Sequence, residues 1–576
     1  MNAAILAVIG LAVFYAGFRF YSAWLNRSLY RTDPDLKTPA HEFEDGLDYV
    51  PTKRHILFGH PFTSIAGAAP IIGPCVAAYW GWLPACLWII LGSVFMGAAH
   101  DFGALVLSVR EKGRSIADVS SKIMSGNARI MFLLFVLMLV WLVLAVFAMA
   151  IADLFVSVPS TVVPINIQIV LAITVGWLIY KKGTGALIPS LVALALLYAF
   201  IWVGTKMPFS FEEMGMSRTD ASTTWVIILF IYSAIASLLP VWFLLQPRDY
   251  INSHQLLVGL GLLYAGIFYV RPLVEAPAVR MAVDHGAPPM IPLLFVTIAC
   301  GAISGFHGLV ASGTTAKQLN SVRDTRMIGY GGMLGEGTLA LASMIAAVAG
   351  ISLVAACNLP TQGAVADLSW AVYYDSWAHA SGNKAAAFVL GGGALIQELG
   401  VPAELAQTLM AVLVISFAAT TLDTATRIQR FVLSELGSAV KIKPLENRYF
   451  ATLVAVLPAL ALTLWNITDP STGAAKQAGW VLWPIFGASN QMLAGLTLMV
   501  ITLYFWKRKR PVLPVLIPMI FVMTATLVSL VLKTIDFASS NRLLFGLNLF
   551  LIVLIAWMIY EGIQTVKRGQ RQAETA

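Results

Sequence analysis

Six ionisable side chains stand inside apolar stretches of this 576-residue chain: His60, His100, Asp101, His307, Glu336 and Asp423. A charge at the centre of a membrane helix costs about 2.5 to 3.5 kcal/mol on insertion scales, so such groups mark ion paths, proton relays or paired structural charges. His307 is assigned to function. Ser304, His307, Gly308, Ala311, Ser312 and Thr315 recur at helical spacing, while Phe306, Leu309 and Val310 take the other faces. An imidazole on that polar stripe can carry a coupling proton. Alternatively, Ser304 and carbonyls near Ala66 hold Na⁺, a hard cation that prefers oxygen ligands. The residue pattern leaves both open, and the ion-coupling set is His60, Ala66, Ser304, His307 and Ser312. The remaining groups read as structural. Glu336 is expected to reach Arg323 or Arg326, and Asp423 to pair with Arg427 at i+4. His100 and Asp101 point roughly 100° apart on a helix and are not expected to share a cavity.

The backbone supplies a second kind of chemistry. Between Phe58 and Pro74 the chain carries Pro61, Pro70 and Pro74 with Gly59, Gly67 and Gly73. Proline orphans the carbonyl four residues earlier and glycine lets the chain unwind. Freed carbonyls at membrane depth are tolerable only where they line a cavity or hold a ligand, as in the broken helices of secondary transporters. A second break is expected in the run 232–242, where Ser233, Ser237 and Pro240 share a helix face. Substrate is therefore expected to meet Ser64, Gly67, Ala68, Ala69, Tyr232, Ser233, Ser237 and Asp423.

The elements that position these groups are membrane helices. Hydrophobic residues make up 59% of the chain and charged ones 11%, with mean hydropathy +0.80, which excludes an ordinary soluble enzyme. Fifteen apolar runs are long enough to be candidate spans: 2–25, 58–80, 82–108, 129–152, 162–180, 185–205, 222–246, 254–272, 291–316, 329–356, 403–426, 447–465, 479–505, 511–533 and 541–561. With the N-terminus outside, 28 Lys and Arg fall in inner loops and 8 outside, so the positive-inside rule places the C-terminus in the cytoplasm. The net charge of +8 reflects this bias and points to no nucleic-acid partner. Cys75, Cys86, Cys300 and Cys357 form no C-x-x-C pair and read as core residues. The external stretch 358–402 carries Trp370, Tyr373, Tyr374 and Trp377 and is expected to lie at the membrane interface. No phosphate-binding loop, H-E-x-x-H or G-x-S-x-G occurs, so neither ATP use nor hydrolysis is indicated, and no cofactor beyond a coupling ion.

The chain resembles the carbon starvation protein A family over about residues 54–495. The resemblance is carried by Leu57-Phe58-Gly59-His60, Ser64-Ile65-Ala66-Gly67-Ala68-Ala69-Pro70-Ile71-Ile72-Gly73-Pro74, His100-Asp101-Phe102, Gln246-Pro247-Arg248-Asp249-Tyr250, Cys300-Gly301-Ala302-Ile303-Ser304-Gly305-Phe306-His307, Thr421-Leu422-Asp423-Thr424-Ala425-Thr426-Arg427 and Trp483-Pro484-Ile485-Phe486-Gly487. Many members place a second His where this chain has Pro61, and Gly where it has Ala69. The resemblance implies an all-α bacterial inner-membrane secondary transporter with a leucine-transporter-like core of two inverted five-helix repeats. It also implies a peptide or pyruvate substrate, with the helix containing Ser304 and His307 at the position where related transporters hold sodium or its replacement. The expected layout is an accessory helix and loop (1–54), a transport core (55–428, repeats 55–205 and 222–428) and accessory helices with a basic tail (429–576). Substrate and membrane lipids are the partners implied; oligomeric state is left open.

Overall fold

A computed structural model describes residues 1–574 apart from 285–286, 360 and 469–474. Among the described residues, twelve helices are long and apolar enough to cross a membrane, thirteen with one bent pair. We number the long helices and the pieces of the interrupted ones α1 Ala3–Tyr30, α2 Arg54–Ile65, α3 Ala69–Trp80, α4 Trp82–Arg110, α5 Gly126–Ser157, α6 Pro159–Lys182, α7 Leu187–Lys206, α8 Arg218–Leu238, α9 Leu245–Val270, α10 Met290–Thr297, α11 Gly305–Val310, α12 Val322–Leu353, α13 Ala386–Gln397, α14 Ala403–Val440, α15 Arg448–Leu464, α16 Trp483–Trp506, α17 Leu513–Ala538 and α18 Arg542–Arg568. Among the described residues the fifteen expected runs do not all form full crossings. The run 447–465 yields the 17-residue α15, and the run 291–316 divides into α10 and α11.

The first interruption lies where the glycine and prolines place it. The bent pair α2 and α3 meets at 43°. Ala66 adopts φ −74°, ψ 50° and the Gly67 amide donates to the Ile65 carbonyl at 2.8 Å, an inverse γ-turn that ends α2. Pro70 then falls in the first turn of α3, where a missing N–H costs nothing. A Cβ on Gly67 would lie 2.5 Å from Phe147 on α5 and 2.6 Å from the Thr421 hydroxyl on α14, so only glycine fits between those helices.

The second interruption is not where Pro240 suggested. α8 ends at Leu238, and Leu239 is extended, as the residue before proline prefers. Pro240 therefore sits in a short connection, and α9 starts at Leu245 with Pro247 in its first turn, drawing Arg248 and Asp249 into the interior. The real second break spans 298–304, inside the run expected to be one continuous striped helix. Ser304 is extended there, and α11 begins at Gly305, whose Cβ would stand 2.3 Å from Leu493 on α16. α11 runs on through a wider π turn, Ala311–Thr315, to Gln318.

The two interrupted helices touch. A Cβ on Gly73 of α3 would be 2.5 Å from the Thr297 carbonyl of α10, and one on Gly301 would be 3.8 Å from Pro70 Cα. Around them α5 packs along α14, α9 along α2 and α16 along α11. The segment before α13 contains a β-hairpin, Ala356–Leu359 with Gly363–Ala366, and two short helices, Trp370–Tyr373 and Trp377–Asn383. Its aromatic residues do not all face lipid. Tyr373 and Tyr374 are buried, with the Tyr374 hydroxyl donating to the Cys75 carbonyl, and the Trp377 ring lies 4.9 Å from that of Trp80.

Candidate functional site: two buried polar clusters at the helix breaks

The first cluster hangs on α2, one turn before its break. His60 is buried, with Nδ1 2.5 Å from Asp249 Oδ2 on α9 and Nε2 2.8 Å from the Thr314 hydroxyl beyond α11. It is not open to water. Ser64 lies 3.3 Å from the Thr424 hydroxyl, and the Thr421 hydroxyl donates to the Ser64 carbonyl at 3.0 Å, so α14 closes over the end of α2. Asp423, on the same helix, does not pair with Arg427. It accepts from Arg248 Nη1 and, at 2.8 Å, from the Tyr232 hydroxyl. Arg427 instead reaches the Ala236 and Leu239 carbonyls and, at 3.2 Å, Asp48 in the loop before α2. The i+4 rule describes exposed helix faces; here both residues are buried between helices that offer other partners. Asn252 and Thr420 extend the network at 2.8 Å.

The expected substrate residues are thus only partly gathered. Ser64, Gly67 and Asp423 converge around α14, and Tyr232 joins through Asp423. Ala68 and Ala69 lie buried at the break, whereas Ser233 and Ser237 bond back to the Phe230 and Ala234 carbonyls of their own helix.

The second cluster surrounds His307. Its Nδ1 is 2.9 Å from Asp101 Oδ2 on α4, and its Nε2 is 3.1 Å from Glu336 Oε2 on α12. Asp101 is also 2.7 Å from Nδ1 of its neighbour His100. The two side chains therefore meet, because rotation about their own bonds closes the angle between the Cβ directions. Glu336 contacts neither arginine expected of it: Arg326 stacks on Phe18. At the start of α11, Asn490 of α16 accepts the Phe306 amide at 2.9 Å and donates to the Ser304 hydroxyl at 2.9 Å and to Cys300 Sγ at 3.1 Å. Ser312 bonds back to the Gly308 carbonyl. Cys300, His307 and Glu336 bring ligand-type atoms within 4.8 Å of one another. The sulfur is already engaged by Asn490 and Ser304, so the trio is read as part of a hydrogen-bonded cluster. The Ser304 hydroxyl has the same partner, which bears equally on its role as a Na⁺ ligand.

A cavity of about 780 Å³ opens on one side of the breaks. Ile72 and Val76 of α3 and Val296 and Thr297 of α10 line it, with Asp153 and Arg218 higher up. Pro70 faces Gly301 while Gly73, one turn later on α3, faces Thr297, four residues earlier than Gly301, so the interrupted segments run in opposite directions. None of the expected substrate residues lines the cavity.

Sequence reasoning missed Asp249, Arg248 and Asn490. The first two form a charged pair after Pro247 and would have stood out had the apolar run been started there. Asn490 sits in the polar triplet Ser489-Asn490-Gln491 inside an otherwise apolar span, a signal that was passed over.

The profile of the family described as carbon starvation protein CstA matches residues 2–529. The chain is 32% identical to the peptide transporter CstA of Escherichia coli K12, over 92% of this chain and 80% of that protein. It is also 32% identical to the peptide transporter CstA of Mycobacterium tuberculosis H37Rv, covering 88% and 72%. Identity to the pyruvate/proton symporter BtsT of E. coli K12 is again 32%, covering 88% and 78%. Among solved structures, a manganese transporter variant of Eremococcus coleocola aligns over 92% of this chain with TM-score 0.43 and 12% identity, a likeness too slight to carry an argument. The chain belongs to the carbon starvation protein CstA family.

Proposed function

We propose that the protein is a secondary-active importer of short peptides in a bacterial inner membrane, working by alternating access and driven by a proton or sodium gradient. The observation that carries this reading is the pair of oppositely directed, interrupted helices that cross at Gly73 and Thr297 beneath a one-sided cavity. Transporters with such helices place substrate at the breaks and expose it to each side in turn. A passive channel needs a continuous polar pore, and the cavity lining includes Thr297 of that crossing but none of the polar residues gathered around His60 and His307.

The core is leucine-transporter-like in this reading, with paired breaks relating its halves. The first half starts at α2 and includes α5 and α9; the second starts at α10 rather than near residue 222, and includes α14 and α16. Supporting this are the side-by-side packing of α5 with α14 and the matching contacts of α9 with α2 and of α16 with α11. The core then extends past 428 to Trp506. The charge bias puts the cavity on the periplasmic side, the N-terminus outside and the C-terminus in the cytoplasm.

Ser64, the carbonyls of the Ala66–Ala68 turn, Tyr232 and Asp423 face substrate when the crossing opens. His307, with Ser304 nearby, serves coupling. Pyruvate is the second substrate reading, favoured by the equal similarity to a pyruvate/proton symporter. No bond is made or broken. Counterflow of labelled dipeptide and of labelled pyruvate in proteoliposomes tests the proposal: exchange of intact dipeptide supports it, exchange of pyruvate alone selects the second substrate, and gradient-independent net flux supports a channel. His307→Ala is expected to abolish gradient-driven accumulation.

A further inference from the structure

Glu336 lies in α12 with no exposure to solvent, and neither of its oxygens has a hydrogen-bond partner. Among the described residues no lysine or arginine pairs with it. The ionisable groups that face it come from three places: His307 on α11, Asp101 with His100 on α4, and the Cys300 thiol in the break. Tyr30 of α1 adds a phenol next to Asp101, its hydroxyl donating to the Ala99 carbonyl.

Asp101 is held by both His307 and His100, whereas Glu336 meets His307 alone, so with both carboxylates ionised the cluster is neutral only if both imidazoles are doubly protonated; a single imidazolium leaves one negative charge uncompensated. An uncompensated charge in a dry interior is strongly disfavoured, and one proton removes it. The Nε2 of His307 is 3.1 Å from Glu336 Oε2, yet the two are not aligned as donor and acceptor. The other carboxylate oxygen, Oε1, has no partner in the cluster and is the position where a proton can be taken up.

We propose that Glu336 carries the coupling proton, with Asp101 and His307 positioning it. Glu336 takes one proton from the side to which the pathway is open and releases the same proton to the other side; no other atom is exchanged. His307 belongs to the half-helix that starts at the second break, whereas Glu336 belongs to the neighbouring continuous α12. Movement of the half-helix makes or breaks their contact, which ties protonation to the state of the pathway. This inference rests on the gradient-driven import proposed above and selects the proton over sodium.

The test uses the full chain in proteoliposomes with a pH-sensitive dye inside. Wild type is expected to show counterflow, accumulation driven by a pH gradient and substrate-dependent acidification of the lumen. Glu336→Gln is expected to keep counterflow, which needs no net proton movement, while losing accumulation and acidification; Glu336→Asp is expected to recover part of both. Loss of counterflow in Glu336→Gln, or full accumulation in it, overturns the proposal. So does accumulation in wild type that follows a sodium gradient and ignores pH. A wild type with no counterflow refutes the importer reading instead. Should Glu336→Gln fail to fold, reaction of wild type with a hydrophobic carbodiimide, which modifies buried carboxyls only when protonated, decides: modification at Glu336 that falls as pH rises supports the proposal, and modification confined to Asp101, or none, overturns it.

Discussion

Gly73 and Thr297 meet without room for a methyl group: a Cβ on the glycine would lie 2.5 Å from the threonine carbonyl oxygen. This contact joins the two interrupted helices, and Thr297 and Ile72 beside it line the cavity. Gly73→Ala is expected to force α3 and α10 apart, lowering stability by about 1–3 kcal/mol as overpacking does, and to depress transport. Thermal unfolding in detergent and dipeptide uptake measure both; an unchanged melting temperature with normal uptake would show that the helices do not cross there.

Arg248 and Asp423 form a buried ion pair between α9 and α14, with the Tyr232 hydroxyl bonded to both. Breaking one side of such a pair leaves a naked buried charge and costs about 3–5 kcal/mol, whereas replacing both by apolar groups is far milder. Asp423→Leu alone should therefore destabilise the protein more than Asp423→Leu combined with Arg248→Met. Melting temperatures of the purified variants test this, and a double variant worse than the single one would argue against pairing.

Asn490 caps the start of α11 and bonds Ser304 and Cys300. Asn490→Ala leaves these buried groups unsatisfied, at about 1–3 kcal/mol for a stranded polar group. The expected outcome is a lowered melting temperature with reduced uptake, and an unaltered melt would remove the cap from the account.

Among the cysteines, Cys75, Cys86 and Cys300 are buried and Cys357 is partly exposed on the hairpin before α13. If the charge bias sets the orientation, a membrane-impermeant maleimide added to intact spheroplasts labels Cys357. Labelling only after the membrane is opened would invert the topology.

How much of this was legible in the residues depends on the kind of signal. The first break announced itself because Gly67, Pro70 and Pro74 act on their own backbone, and local chemistry survives without tertiary information. The second break did not, since its glycines, Gly301 and Gly305, answer to contacts from α12 and α16 rather than to a local proline. The same limit governs the charges. Glu336, Asp423 and Arg427 were assigned partners near in sequence, but Glu336 and Asp423 found theirs on distant helices and Arg427 in the loop before α2, because buried groups pair with whatever the packing brings. His307 was singled out as a polar group on a small-residue stripe, while its company, Asp101 and Glu336, emerged only from the fold.

The central claim is that the protein uses an ion gradient to concentrate an intact short peptide. Purified protein in sealed proteoliposomes, given a labelled dipeptide and an imposed pH or sodium gradient, tests it most directly. Unhydrolysed dipeptide is expected to accumulate above the external concentration and to drain when the gradient is dissipated. Equilibration without accumulation under either gradient would contradict it.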